Sequence, residues 1–188
     1  MKISLYYIFV FYVLKKELKF ISAIVSTMKR FAALYFLYLA LLFTFFYAHT
    51  SGFSLWLNGK QTELTLFLLH FFLKPEQLQG IDIWITPHYK IYISQACNGF
   101  IPIFFLWAAI LAYPVKWWYK IVWMGIGYAV FAVVNIVRLL IVVHFAETAQ
   151  GGGNFYWSHD LLGNAILMVT GLGIFITYIK TSSNTPLP

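Results

Sequence analysis

The chain has 188 residues, of which 61% are hydrophobic, 21% aromatic and only 10% charged. Soluble domains carry about 25% charged and about 45–50% apolar residues, so this composition excludes an ordinary water-soluble globule and points to an integral membrane protein. The formal net charge of +7 does not describe a nucleic-acid surface, because most lysines lie between apolar segments rather than in one patch.

The chain opens with "MKISLYYIFVFYVLKKELKFISAIVST", whose first apolar run is short and ends in Lys15, Lys16, Glu17 and Lys19. No small-residue cleavage site follows it, which speaks against a secretory signal peptide. Residues 1–27 are expected to be an amphipathic extension or an over-called start, with the membrane domain covering residues 28–180. Four stretches reach the roughly twenty residues that a helical crossing needs: Phe31–His49, Ile91–Tyr113, Ile121–Ala146 and Leu161–Ile179. Between the first two, "LTLFLLHFFL" (64–73) is too short to cross and is read as a helix along the outer interface. Ile81, Ile83 and Ile85, then Ile91 and Ile93, alternate around Pro87 and His88, which predicts a small β-hairpin leading into the Cys97 helix. The third span is long and carries Asn135 and Arg138, so it should tilt or project. The tail 181–188 is polar and expected to be a frayed cytoplasmic end. The fold class is thus an all-α polytopic membrane protein, a bundle of about four to six membrane-associated helices with an extracytoplasmic hairpin.

Positive residues set the orientation. Lys29 and Arg30 precede the first span, Lys116 and Lys120 join the second to the third, and Lys180 follows the fourth. Those three sites should be cytoplasmic. The loop 147–160 has neither Lys nor Arg and should lie outside.

Three residues stand out for chemistry. A charge within a span costs several kcal/mol and usually has a function. Arg138 is such a charge, with Asn135 one turn away on the same face, so the pair should face the bundle interior rather than snorkel. Cys97 is the only cysteine, which excludes an intramolecular disulfide and leaves a packing residue or a reactive thiol. It is expected in the first turn of its helix with Ser94 as cap, where the positive end of the helix dipole favours a thiolate. Pro102 suits a helix start, and Asn98 and Gly99 form the immediate shell of the thiol. His159, in "FYWSHDLLGNAIL", sits at the outer mouth of the last span with Asp160 beside it. His49, His70, His88 and His144 lack such polar company. The derived topology brings Cys97, Arg138 and His159, each from a different span, to one membrane face. A thiol, a cation and a base together are the components of thiolate catalysis. No Cys/His cluster has metal spacing and no Gly-rich phosphate loop is present, so neither a metal nor an organic cofactor is expected.

The order of "ACNG" around Cys97, "NIVR" ending at Arg138 and "HDLLGN" beginning at His159 resembles the exosortase/archaeosortase family of membrane cysteine peptidases, over roughly residues 31–180. The resemblance implies a compact, multi-pass processing enzyme at the outer face of a bacterial cytoplasmic membrane. Its partners would be the bilayer and the C-terminal sorting tails of exported, membrane-tethered proteins, each a short motif, a membrane helix and a basic end. Carried over, Cys97 is the nucleophile, Arg138 the stabiliser and His159 the general acid/base, while Asn98 tunes specificity and Asn135 serves binding beside Arg138. Two other readings of the same residues are a non-catalytic membrane scaffold and a small transporter or lipid-handling protein in which Arg138 holds an anionic head group.

Overall fold

The computed structural model describes residues 25–48, 52–94, 97–148 and 161–182. Helix α1 covers Val25–Phe46 and α2 covers Gly52–Leu69. A single 3-10 turn, Pro75–Gln77, leads into strands β1 (Leu78–Gln79), β2 (Asp82–Thr86) and β3 (Tyr89–Tyr92). Helices α3 (Phe100–Ala112), α4 (Trp117–Thr148) and α5 (Gly163–Ser182) complete the order. The chain is therefore a mostly helical polytopic membrane protein with one small antiparallel sheet.

Among the described residues, α1, α4 and α5 are long and apolar enough to cross a membrane. The expected crossing Ile91–Tyr113 is corrected in its bounds. Its first two residues belong to β3, and its helix has only 13 residues, about 20 Å against a hydrocarbon core of about 30 Å, so the chain passes between the two ends of the bundle here through α3 and the non-helical residues on either side of it. Two local causes shorten α3. At its start Gly99 adopts a left-handed conformation with φ 86°. At its end Pro114 has no N–H to donate and cannot continue the helix. The carbonyls orphaned there are taken up from elsewhere: the Tyr178 hydroxyl donates to Ile110 O at 3.2 Å and Lys120 Nζ to Leu111 O at 2.6 Å.

Helix α4 has 32 residues, about 48 Å of helix, well beyond the bilayer core. The excess is used: Val142, Val143 and Ala146 near its C-terminus are buried with Leu69, Ile83, Ile91 and Ile93. The sheet thus rests on the projecting end of α4. Its order is β1-β2-β3, so Leu78–Gln79 adds a third strand to the expected hairpin. Ile83 pairs with Ile91 and Asp82 with Tyr92, with an irregularity between Trp84 and Thr86. The expected alternation holds for the buried Ile83, Ile91 and Ile93, while Ile81 is exposed. On the other face Lys90 reaches Asp82 at 2.6 Å and lies over the Trp84 ring.

The interfacial helix expected over 64–73 is instead α2, which begins twelve residues earlier at Gly52 and ends at Leu69. Ser54, Asn58, Gln61, Thr65 and Leu69 form its buried face, whereas Phe53, Leu55, Trp56 and Phe67 are exposed. This inverts the soluble pattern, in which the apolar stripe faces the core. A helix whose solvent is lipid and whose neighbour is a polar site reads that way round.

The helices run so that five of the basic residues gather at one end. Phe31 of α1 stacks on Phe175 of α5, Tyr113 at the end of α3 meets Phe175 and Tyr178, and Tyr119 of α4 stacks on Tyr178. Lys29, Arg30, Lys116, Lys120 and Lys180 all lie within a few residues of these contacts. Arg138 and the turn holding Cys97 lie towards the opposite end.

Candidate active site

Cys97 lies in a short 3-10 turn ahead of α3, with its N–H donated to Ser94 O at 2.9 Å. The α-helix starts only at Phe100, and Gly99 is its N-cap. The expected placement of Cys97 in the first helical turn with a Ser94 cap is therefore corrected: a left-handed Gly99 separates the two. Ser94 instead points its hydroxyl at the thiol, with Oγ 3.5 Å from Cys97 Sγ. Cys97 is buried, the whole residue being only 7% exposed.

The Cys97–Gly99 stretch is irregular backbone inside an apolar bundle. Such backbone survives at membrane depth only where protein groups satisfy it. Three side chains do so here. Asn135 Nδ2 donates to Cys97 O at 3.0 Å. Gln61 Nε2 donates to Asn98 O at 3.0 Å. The Asn98 side chain closes back on its own helix start, accepting from Phe100 N at 3.1 Å through Oδ1 and donating through Nδ2 to Asn58 Oδ1 at 3.1 Å. Asn58 in turn donates to Phe46 O and Ser54 O, and Gln61 Oε1 accepts from the Tyr128 hydroxyl at 2.7 Å. The polar face of α2 and the polar turn of α4 thus clamp the loop from both sides.

Gly99 is the residue that lets the clamp close. A Cβ there would come 3.1 Å from Asn135 Cγ, and the positive φ already disfavours any other side chain.

Arg138 is 3% exposed and faces the bundle. The interior orientation expected for the Asn135–Arg138 pair holds, and snorkelling does not. Arg138 Nη1 donates to Asn135 Oδ1 at 3.4 Å. One amide therefore joins the cation to the Cys97 loop: Asn135 accepts from Arg138 and donates to the Cys97 carbonyl. Burial first, and the neighbouring Cys97 second, push the Tyr47 hydroxyl, just after α1, above the ordinary tyrosine range.

His159 and Asp160 lie outside the described residues. The start of α5 is described. Gly171 lies against Phe131, so close that a Cβ would sit 3.2 Å from the ring. The two helices are antiparallel, so eight residues back along α5 from Gly171 and eight residues forward along α4 from Phe131 bring Gly163 level with Leu139. The chain thus enters α5 at the height of Arg138. His70, His88 and His144 are exposed, away from this cluster.

A family model described as "Transmembrane exosortase (Exosortase_EpsH)" matches residues 7–176. The chain belongs to this family. No curated protein and no solved structure matches it. In this exosortase the structure brings together Cys97, Asn98, Asn135 and Arg138 of the residues singled out in the sequence. It adds Asn58, Gln61, Tyr128 and Tyr47, which sequence reasoning missed, and gives Ser94, expected as a cap, a contact with the thiol instead. A signal for the first two was present. Ser54, Asn58, Gln61 and Thr65 recur at spacings of four, three and four, a polar stripe of helical period in a chain poor in polar residues.

Proposed function

We propose that this exosortase is a membrane-embedded cysteine transpeptidase that cuts the C-terminal sorting tails of exported proteins at the outer face of a bacterial cytoplasmic membrane. The observation that carries this reading is the buried bridge from Arg138 through Asn135 to the Cys97 carbonyl. It ties the backbone of the residue that carries the chain's one thiol to a cation buried inside the bundle. The positive-inside rule assigns the basic end to the cytoplasm, so the Cys97 end faces outward.

Cys97 is the nucleophile. His159, four residues before Gly163, takes the proton from Sγ, and the thiolate attacks the scissile carbonyl carbon. Arg138 stabilises the thiolate and then the oxyanion of the tetrahedral intermediate, a charge best met by a fixed donor in a dry site. Collapse breaks the C–N bond. The imidazolium of His159 returns its proton to the departing amine, leaving a thioester on Cys97. An incoming amine, or water, gives up a proton to His159 as it attacks that thioester, and the thiol is regenerated. Asn98 and Asn135, assigned to binding from the sequence, act in this reading as positioning residues, because their side chains are engaged with the protein itself.

The test uses an exported protein encoded beside this chain that ends in a short motif, one span and basic residues. Co-expressed with the wild type, its tail should be removed, as read by gel shift and mass spectrometry of the new C-terminus. Cys97→Ala, Arg138→Ala and His159→Ala should each leave the tail intact with the chain present in membranes at normal amounts. Normal cutting by Cys97→Ala would leave a scaffold or a lipid-binding protein as the better account.

A further inference from the structure

A cleft of about 430 Å³ runs down from the Cys97 loop between α1, α2, α3 and α4. Its upper wall is Phe100, three residues after the nucleophile, and Gln61, which holds the Asn98 carbonyl. Its lower wall is Phe104 and Trp107, one and two turns further along α3. Phe46 and Phe53 close one side. Tyr128, which donates to Gln61, closes the other. The cleft is thus continuous with the clamp around the nucleophile and descends beside α3 by about 10 Å over the seven residues from Phe100 to Trp107.

Resting on the function proposed above, we infer that this cleft seats one large apolar side chain from the first turns of the substrate's membrane segment, and that this seat selects which tails are cut. Three observations favour that occupant. Among the described residues the one charged side chain lining the cleft, Lys60, is paired with Glu63 at 2.7 Å, so the described lining offers an anionic head group no unpaired cation. The walls are bulky rings, whereas whole-helix docking in a membrane uses small residues that let backbones approach. The volume lies within the range of sites that hold a compact apolar group. A tail whose motif lies over Cys97 continues directly into lipid as a helix, and the first large side chain after the scissile bond reaches the height of Phe100 to Phe104.

The experiment places two tails in the same cell, so that differences in the amount of folded exosortase cancel. Positions after the scissile bond of the tail protein named above are changed one at a time to Ala, Leu, Phe and Trp, and each competes with the parent tail. One position should prefer Leu or Phe over Ala by on the order of tenfold, near the lower end of what a methylene-sized misfit costs in a watery pocket, because lipid already solvates the side chain before binding. Trp107→Ala should shift that preference towards Trp, and Leu57→Trp, on the α2 wall of the cleft, should shift it towards Ala. A scan that is flat at every position, as expected if a bilayer lipid chain fills the cleft, would overturn the inference. So would a preference that neither substitution moves. Both outcomes leave the thiol peptidase standing, since the parent tail is still cut in a Cys97-dependent way. Loss of that dependence would instead remove the underlying function.

Discussion

At the basic end of the bundle, Tyr113, Tyr119, Trp123, Phe175 and Tyr178 pack ring against ring, with Tyr178 fully buried among them. At the other end, Asn58, Gln61, Asn98, Asn135 and Arg138 are buried instead, each committed to a named donor or acceptor. Lipid is as apolar as a leucine, so helices in a membrane associate through packing and hydrogen bonds rather than through the hydrophobic effect. The aromatic end uses packing, which is broad and forgiving. The polar end uses hydrogen bonds, which are directional and serve particular atoms of one loop. Substitutions at the first end should therefore change how much protein folds. Substitutions at the second should change what the folded protein does.

The strongest challenge to that division is Asn135→Leu. It removes the donor to the Cys97 carbonyl and the acceptor for Arg138 together. Leaving a buried polar group unsatisfied costs about 1–3 kcal/mol, more for a charged one, so tail cutting should fall by on the order of a hundredfold or more. Pulse-chase of the tail protein reads the rate, and immunoblotting of membranes reads the amount of chain. A rate that falls only in proportion to the amount would erase the distinction between the two ends. Gly99→Ala comes next. The added Cβ meets Asn135 Cγ at 3.1 Å on a backbone with φ 86°. The left-handed conformation alone costs a non-glycine residue about 1–2 kcal/mol, so cutting should drop roughly fivefold to thirtyfold. An unchanged rate would mean that the loop relaxes without loss. Gln61→Leu is milder, because it frees the Asn98 carbonyl but leaves the Cys97 carbonyl held. Cutting should fall by about fivefold to tenfold. Gln61→Glu keeps an acceptor for Tyr128 and loses the donor to Asn98, so it should resemble Gln61→Leu and not the wild type.

These effects bear on how much the sequence made legible. Arg138, Asn135 and Cys97 stood out because polar residues are scarce in an apolar chain, and the structure joins all three. The basic end was equally readable, since charge distribution is a property of composition along the chain. The α3 boundary was not. Hydropathy sums side chains over a window, and the window from Ile91 to Tyr113 is apolar whether its backbone is helix, strand or turn. What ends the helix is one backbone angle at Gly99, and a glycine permits that angle without announcing it. Helix α2 was misplaced for a related reason. Its polar stripe lowers the mean hydropathy, so residues 52–63 read as a connection when they are helix facing a polar neighbour. The partner that makes such a stripe sensible, the carbonyl of Asn98, is 37 residues away in the chain.

The smallest expected effect on activity, and the sharpest test of the aromatic end, is Tyr178→Phe. The carbonyl of Ile110 would ordinarily accept from the N–H four residues on, but that residue is Pro114, which has none. The Tyr178 hydroxyl donates to it in its place at 3.2 Å, with Ile110 wholly buried. Removing the hydroxyl keeps the ring and its stacking and strands one carbonyl, at about 1–3 kcal/mol. For a chain of this size each kcal/mol lowers Tm by about 2–4 °C, a shift that melting of the purified protein in detergent would resolve. Cutting per folded molecule should stay within about twofold, because the carbonyl lies near the C-terminal end of α3, about three helical turns beyond Phe100 and further still from Cys97. If Tyr178→Phe instead slows cutting as Gln61→Leu does, without lowering Tm, then α3 transmits strain along its length, and the two ends form one functional unit rather than a support and a site.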